Sequence, residues 1–187
     1  MRVKIVDGFK IRNTFEIDFG VLGDNFNTPF IRPGEIWLDK AFLAEKKKIL
    51  VEYHENRKLV KKFGYEKAKK MMRFKVAKGF KIDSIKIKLL KKQGLLKIYL
   101  VKGRKTRENL DPNFYFGGHY LVYKYVPKNE VWIDNTVIPE ERKYILVHEL
   151  YELGLMKKGK SYNNAHDYAN AAEKEVRRKD GFKYVTD

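Results

Sequence analysis

Residues able to do chemistry gather near the C-terminal end, in Val147-His148-Glu149-Leu150-Tyr151-Glu152 and, further on, Ala165-His166-Asp167. On a helix, residues four apart share a face, so His148 and Glu152 project together. His166 falls among Tyr162, Ala165, Ala169, Ala172 and Val176, a spacing that marks the buried face of a second helix. Glu173 follows His166 on that same face. A helical hairpin turning at Gly159 would bring Glu152 and His166 within roughly one turn of the same height, at about 1.5 Å per residue. Two imidazoles and a carboxylate suit tetrahedral zinc with a fourth position left for water. Zinc lowers the pKa of bound water to about 7. The expected roles are ligands His148, Glu152 and His166, with Glu149 as general base and Glu173 as fourth ligand or support behind the ligands.

A single His-Glu-x-x-Glu is a weak signal, because glutamate is common on helices. His166 could simply bond Glu152 or a backbone carbonyl across a packed hairpin. Weighing against that, three of the four histidines (His119, His148 and His166) fall in the second of two related stretches.

Those stretches emerge when the chain is shifted by 95 residues. Gly8 then meets Gly103, Arg12 meets Arg107, Phe19 meets Phe114, and Asp39 meets Asp134. Glu45 meets Glu140, and the only two tryptophans coincide in Glu-Ile-Trp-Leu-Asp and Glu-Val-Trp-Ile-Asp. A slip to 94 brings His54-Glu55 onto His148-Glu149, with Lys58 where Glu152 falls; at 97, Tyr65…Ala68 meets Tyr162…Ala165. Lys69 then stands near His166, as expected of a copy that lost a metal site its twin kept.

Each copy reads as an antiparallel β unit followed by two helices. In the second, Leu95–Val101 and His119–Val126 have strand composition, and Glu130–Asp134 follows a Pro127-Lys128-Asn129 turn. Pro139 and Glu140-Glu141 open a helix that ends near Gly159; Ser161 caps another running to about Lys179. Phe80–Leu90 reads as extended chain joining the copies. The expected fold is thus α+β, a tandem duplication packed as a pseudo-dimer. Its parts are a degenerate first repeat (1–75), a connecting strand region (76–96) and a second repeat (97–187). Mutual packing is expected because each repeat alone is small for a stable core.

The run from Tyr123 to Glu175 resembles small zincin-type metallopeptidases of phage and prokaryotic genomes. The likeness rests on Val-Trp-Ile-Asp, Pro-Glu-Glu-Arg, Val-His-Glu-Leu-Tyr-Glu and Ser-Tyr-Asn-Asn-Ala-His. It implies zinc on His148, His166 and a carboxylate, Glu149 as catalytic base, and a peptide or protein substrate. Glu152 stands where the familiar His-Glu-x-x-His pattern has its second histidine.

Composition bounds the alternatives. No cysteine is present, which removes disulfides and thiolate chemistry. Residues 40–97 carry 20 Lys/Arg against 5 Asp/Glu, most of the net +17. Such a segment attracts phosphate backbones, or is a lysine-rich solvated surface of the kind thermophile proteins carry. Lys61, Lys62, Lys67, Lys69, Lys70 and Arg73, interleaved with Phe63, Tyr65 and Phe74, are the candidate nucleic-acid contacts. His119, after Gly117-Gly118, is a candidate substrate-binding residue or extra ligand, with a strand-edge surface histidine the plainer reading. Tyr120, Tyr123 and Tyr125 alternate as on a packed strand. Neither a signal peptide nor a bilayer-spanning run is evident, so a cytoplasmic chain with no membrane partner is expected. No oligomeric state follows from the sequence. The leading expectation is a zinc-dependent hydrolase acting from the second copy. The alternatives are a non-enzymatic nucleic-acid-binding protein and a metallopeptidase-fold pseudoenzyme.

Overall fold

The computed structural model describes residues 1–64, 67, 68, 71 and 79–185. Its elements run β1 (Arg2–Val6), α1 (Gly8–Thr14), β2 (Leu22–Asp24), β3 (Glu35–Asp39) and α2 (Lys46–Phe63). After them come β4 (Lys86–Gln93), β5 (Leu96–Val101), α3 (Gly103–Asn109), β6 (Gly117–His119), β7 (Glu130–Asp134), α4 (Pro139–Lys157) and α5 (Tyr162–Lys179). The chain is a mixed α+β fold with two small sheets, ordered β1-β3-β2 and β4-β5-β7-β6. Among the described residues no helix is long and apolar enough to cross a membrane.

The sheets are mixed in direction rather than antiparallel throughout. β1 runs parallel to β3 with Arg2 opposite Glu35, while β2 runs antiparallel to it with Gly23 opposite Trp37. The second sheet repeats this register 95 residues later: Lys97 lies opposite Glu130, and Gly118 opposite Trp132. A parallel pair needs a crossover, and α1 and α3 supply part of it. These seven-residue helices are too short to display a helical period, which is why the sequence pattern hides them. β4 has no counterpart in the first sheet; it folds back on β5 through Gly94 as an edge strand. It begins only at Lys86, because Ile82–Ile85 forms a 3-10 turn with Ile85 buried.

The strand expected over His119–Val126 is confined to β6. Past His119 the chain turns, the His119 carbonyl accepting from the amides of both Val122 and Tyr123. The tyrosine alternation serves packing instead: Tyr123 lies against Phe114, and Tyr125 against Trp132. Elsewhere the terminus signals hold. Pro139 opens α4, and the Ser161 hydroxyl accepts from the Asn164 amide at the start of α5. Gly159, at φ 88°, takes the left-handed turn between them.

The main core draws on both halves, Leu38, Phe42 and Ile49 packing with Ile98, Ile133, Ile145 and Leu153. Buried arginines cross between the halves. Arg12 donates to the Phe19 carbonyl (2.9 Å) and Asp39 (3.0 Å) in its own half, and to Glu141 on α4 at 3.1 Å through two nitrogens. Arg107 does the same with the Phe114 carbonyl and Asp134, and reaches across to Glu45 at 2.9 and 2.5 Å. The reciprocal partner of Glu45 is therefore Glu141, one residue beyond the Glu140 given by the 95-residue shift. Gly8 and Gly103 permit this arrangement, since a side chain on either would collide with the Asp39 or Asp134 carboxylate.

Arg107 is fully buried, and its removal strands two carboxylates. Arg107→Ala is expected to lower the unfolding free energy by about 3–5 kcal/mol in urea titrations. Arg104→Ala, which loses only an exposed pair with Glu108, should cost less than about 1 kcal/mol.

Candidate metal centre

α4 and α5 pack as a hairpin, and the buried face of α4 carries Glu141, Ile145, His148, Glu149 and Glu152. A helix face this polar is unstable unless every group finds a partner, and the partners come from three directions. From α5, the His166 Nδ1 approaches the His148 Nε2 at 3.0 Å and the Glu152 Oε2 at 3.0 Å. The His148 Nε2 and Glu152 Oε2 lie 3.7 Å apart. From β6, the His119 Nε2 lies 2.9 Å from the other Glu152 oxygen. The first half contributes Asp18, whose Oδ1 is 3.4 Å from the His166 Nε2.

Behind these atoms runs an ionic relay. Glu173 Oε2 meets the His148 Nδ1 at 3.2 Å, and its other oxygen accepts from Arg177 at 2.9 and 2.6 Å. Arg177 also pairs with Glu141, which Arg12 grips from the first half. Glu173 thus stands behind His148 instead of joining the converging donors. A ring whose Nδ1–H is taken by a carboxylate turns a free lone pair outward on Nε2.

His119 corrects an expectation: it is fully buried rather than a surface residue of the strand edge. Its Nδ1 accepts from the Leu121 amide at 3.2 Å, so the proton of the neutral ring sits on Nε2. That nitrogen is near Glu152 but out of line for a hydrogen bond. His119 therefore packs its Nε2 edge against the Glu152 carboxylate, 2.9 Å away.

The carboxylates govern the titration of the cluster. Burial works against the charged form of His148, but Glu152 and Glu173 outweigh it and push its pKa up to about 10. Asp18 and Glu152 raise that of His166 to about 9. The two rings face each other across 3.0 Å, where each opposes a charge on the other. Glu152 is held well below the usual carboxylate range: burial opposes this, but His119, His148 and His166 prevail. Burial, helped by the charge of Glu152 and opposed by the neighbouring histidines, lifts Glu149 to about 7. Two groups of donors could hold a metal ion among the described residues: His148, Glu152 and His166, and His119, Glu149 and Glu152. The tautomer of His119 favours the first group, because a neutral imidazole that already carries its proton on Nε2 has no lone pair there.

His148, Glu149, Glu152 and His166 line a cleft of about 260 Å³. Its walls include Ile17 and Phe19 from the first half and Phe116, Val122 and Ile145 from the second. Lys61, Lys62 and Lys67 do not line it; the ammonium groups of Lys62 and Lys67 lie over the Phe63 ring, each at 5.0 Å. Lys69, Lys70 and Arg73 lie outside the described residues.

The 94-residue match of His54-Glu55 with His148-Glu149 has no counterpart in space. Helix packing equates Glu45 with Glu141 and Ile49 with Ile145, so Glu52 and Tyr53 occupy the positions of His148 and Glu149. His54, Glu55 and Lys58 are exposed. In the first half Asp24, the counterpart of His119, is instead bound by the Tyr53 hydroxyl and by Arg57 at 3.1 Å. The sequence offered no sign of Asp18, Arg12 or Glu141 at the site, since each acts across the two halves. Arg177 left a trace, four residues after Glu173.

In the metal-free protein, Glu149 ionises in the unfolded chain near the ordinary carboxylate value and in the folded state only near 7. Its contribution to stability is therefore complete at low pH and is lost as pH rises from about 4.5 to about 7. Relative to wild type, Glu149→Gln should gain up to about 3 kcal/mol across that window and show no further gain above it, read by denaturant titrations at fixed pH.

The chain matches no protein-family model, no curated protein and no solved structure.

Proposed function

We propose that the protein is a zinc-dependent hydrolase acting on peptides, with its centre in the α4–α5 hairpin. The observation that carries this reading is the convergence of the His148 Nε2, Glu152 Oε2 and His166 Nδ1, separated by 3.0, 3.0 and 3.7 Å. Donors about 2.0–2.1 Å from a tetrahedral zinc stand about 3.3 Å from one another, so these spacings match three corners of such a site. Bound zinc would supply Lewis acidity and a water acidic enough to ionise near neutral pH. Glu149, next to His148 and buried against Gly117, would take a water proton and return it to a departing amine.

The cleft supports a peptide in preference to a phosphate ester. Arg12, the one arginine or lysine among its lining residues, is already taken up by Asp39, Glu141 and the Phe19 carbonyl. Apart from the metal site itself, an anionic substrate would find no uncommitted arginine or lysine among the described lining residues, whereas an uncharged amide with an apolar side chain would meet Ile17, Phe19 and Ile145. The resemblance of residues 123–175 to zincin-type metallopeptidases points the same way.

Zinc content by mass spectrometry should be near one per wild-type chain and lost in His148→Ala, Glu152→Ala and His166→Ala. Glu149→Gln should keep the metal and reduce peptide hydrolysis by about 10²–10⁴-fold. A wild-type protein that stays metal-free after zinc is supplied would overturn the reading.

A further inference from the structure

We infer that Asp18, contributed by the opposite half of the chain, is a positioning residue that fixes the His166 ring in the tautomer able to bind metal. The inference rests on the metal-centre reading above, and on geometry within the described residues.

His166 is the least shielded of the three donors, and it lacks the inner carboxylate that Glu173 provides for His148. An imidazole free to exchange tautomers offers its Nδ1 lone pair only part of the time. The Asp18 Oδ1, 3.4 Å from the His166 Nε2, sets a carboxylate at ion-pair distance on the far side of the ring, where a small rotation would let it accept the Nε2 proton. A proton held there leaves Nδ1 open toward His148 and Glu152. Asn170, one turn beyond His166 on α5, donates to the same Asp18 oxygen at 2.7 Å and keeps the carboxylate facing the helix.

The loop presenting Asp18 is anchored rather than loose. The Phe19 amide donates to the Glu16 carbonyl at 3.1 Å, and the Phe19 carbonyl accepts from buried Arg12 at 2.9 Å. The Phe19 side chain is buried beside it. The corresponding position 95 residues later is Asn113, which is neutral. Glu16 and Asp111 are acidic in both loops, so the charge peculiar to the loop that faces the histidine-bearing helix is that of Asp18. The first half thus contributes a side chain to the candidate site in the second.

The test uses the full-length protein and zinc alone. Zinc affinity is measured by competition with a chromophoric chelator for wild type, Asp18→Asn and Asp18→Ala. Thermal midpoints are recorded metal-free, and nitrogen-15 NMR reads the His166 ring at alkaline pH, where it is neutral. Affinity should fall about 10–100-fold in Asp18→Ala, and less in Asp18→Asn, whose amide oxygen can still accept. The thermal midpoint should hold, and His166 should shift from the Nε2–H form to a mixture. Equal affinity in all three proteins overturns the inference while leaving the metal site standing. A fall in affinity that tracks a fall in thermal midpoint, with the tautomer unchanged, also overturns it by assigning Asp18 to structural support. Failure of the wild-type protein to bind zinc overturns the inference together with the metal-centre reading.

Discussion

The fold is organised around burial of opposite charges at the junction of the two halves. Arg12 grips Asp39 at the end of β3 and Glu141 in the first turn of α4, while Arg107 joins Asp134 to Glu45 in the mirror-image sense. Once buried, neither arginine can lose a partner without leaving a charge in a poorly solvating interior. That constraint sets the height and rotation of α4 against the sheets. It requires a glycine at the start of α1 and of α3, where any side chain would displace the aspartate.

The candidate centre is an extension of the same network. Glu141 connects Arg12 to Arg177, Arg177 connects to Glu173, and Glu173 orients His148. The position of a candidate ligand nitrogen is thus tied to a residue on the first helix of the chain through a series of charge-assisted bonds. Groups held this way have little freedom to reorient, which is what a preorganised site requires. Low effective dielectric strengthens each link and raises the cost of breaking it.

Asymmetry between the halves is confined to a few positions. Glu52, Tyr53 and Asp24 stand where the second half has His148, Glu149 and His119, and the Tyr53 hydroxyl closes on Asp24. A phenol and a carboxylate in contact satisfy each other without any ion. The same architecture therefore carries a self-satisfied polar cluster in one half and converging lone pairs in the other. The shift of Glu45 to Glu141 matters here: a one-residue offset on a helix rotates every side chain by about 100°. Alignment by residue identity, which favoured His54 and Glu55, missed it.

Some of this was determined by the sequence alone. The 95-residue periodicity, the start and stop of α4 and α5, and the sharing of one helix face by His148 and Glu152 all follow from local rules of spacing and capping. Even the approach of His166 to Glu152 follows, once Gly159 is taken as the turn. What only the tertiary structure decided is whatever depends on contact between distant segments. Examples are the parallel pairing of β1 with β3, the burial of His119 against Glu152, the reach of Asp18 to His166, and the crossing of Arg12 to Glu141. The physical reason is the same in each case. Helix periodicity and caps are encoded within a few residues, whereas the partner of a buried charge is chosen by the packing of the whole chain and leaves no mark in the spacing of its neighbours.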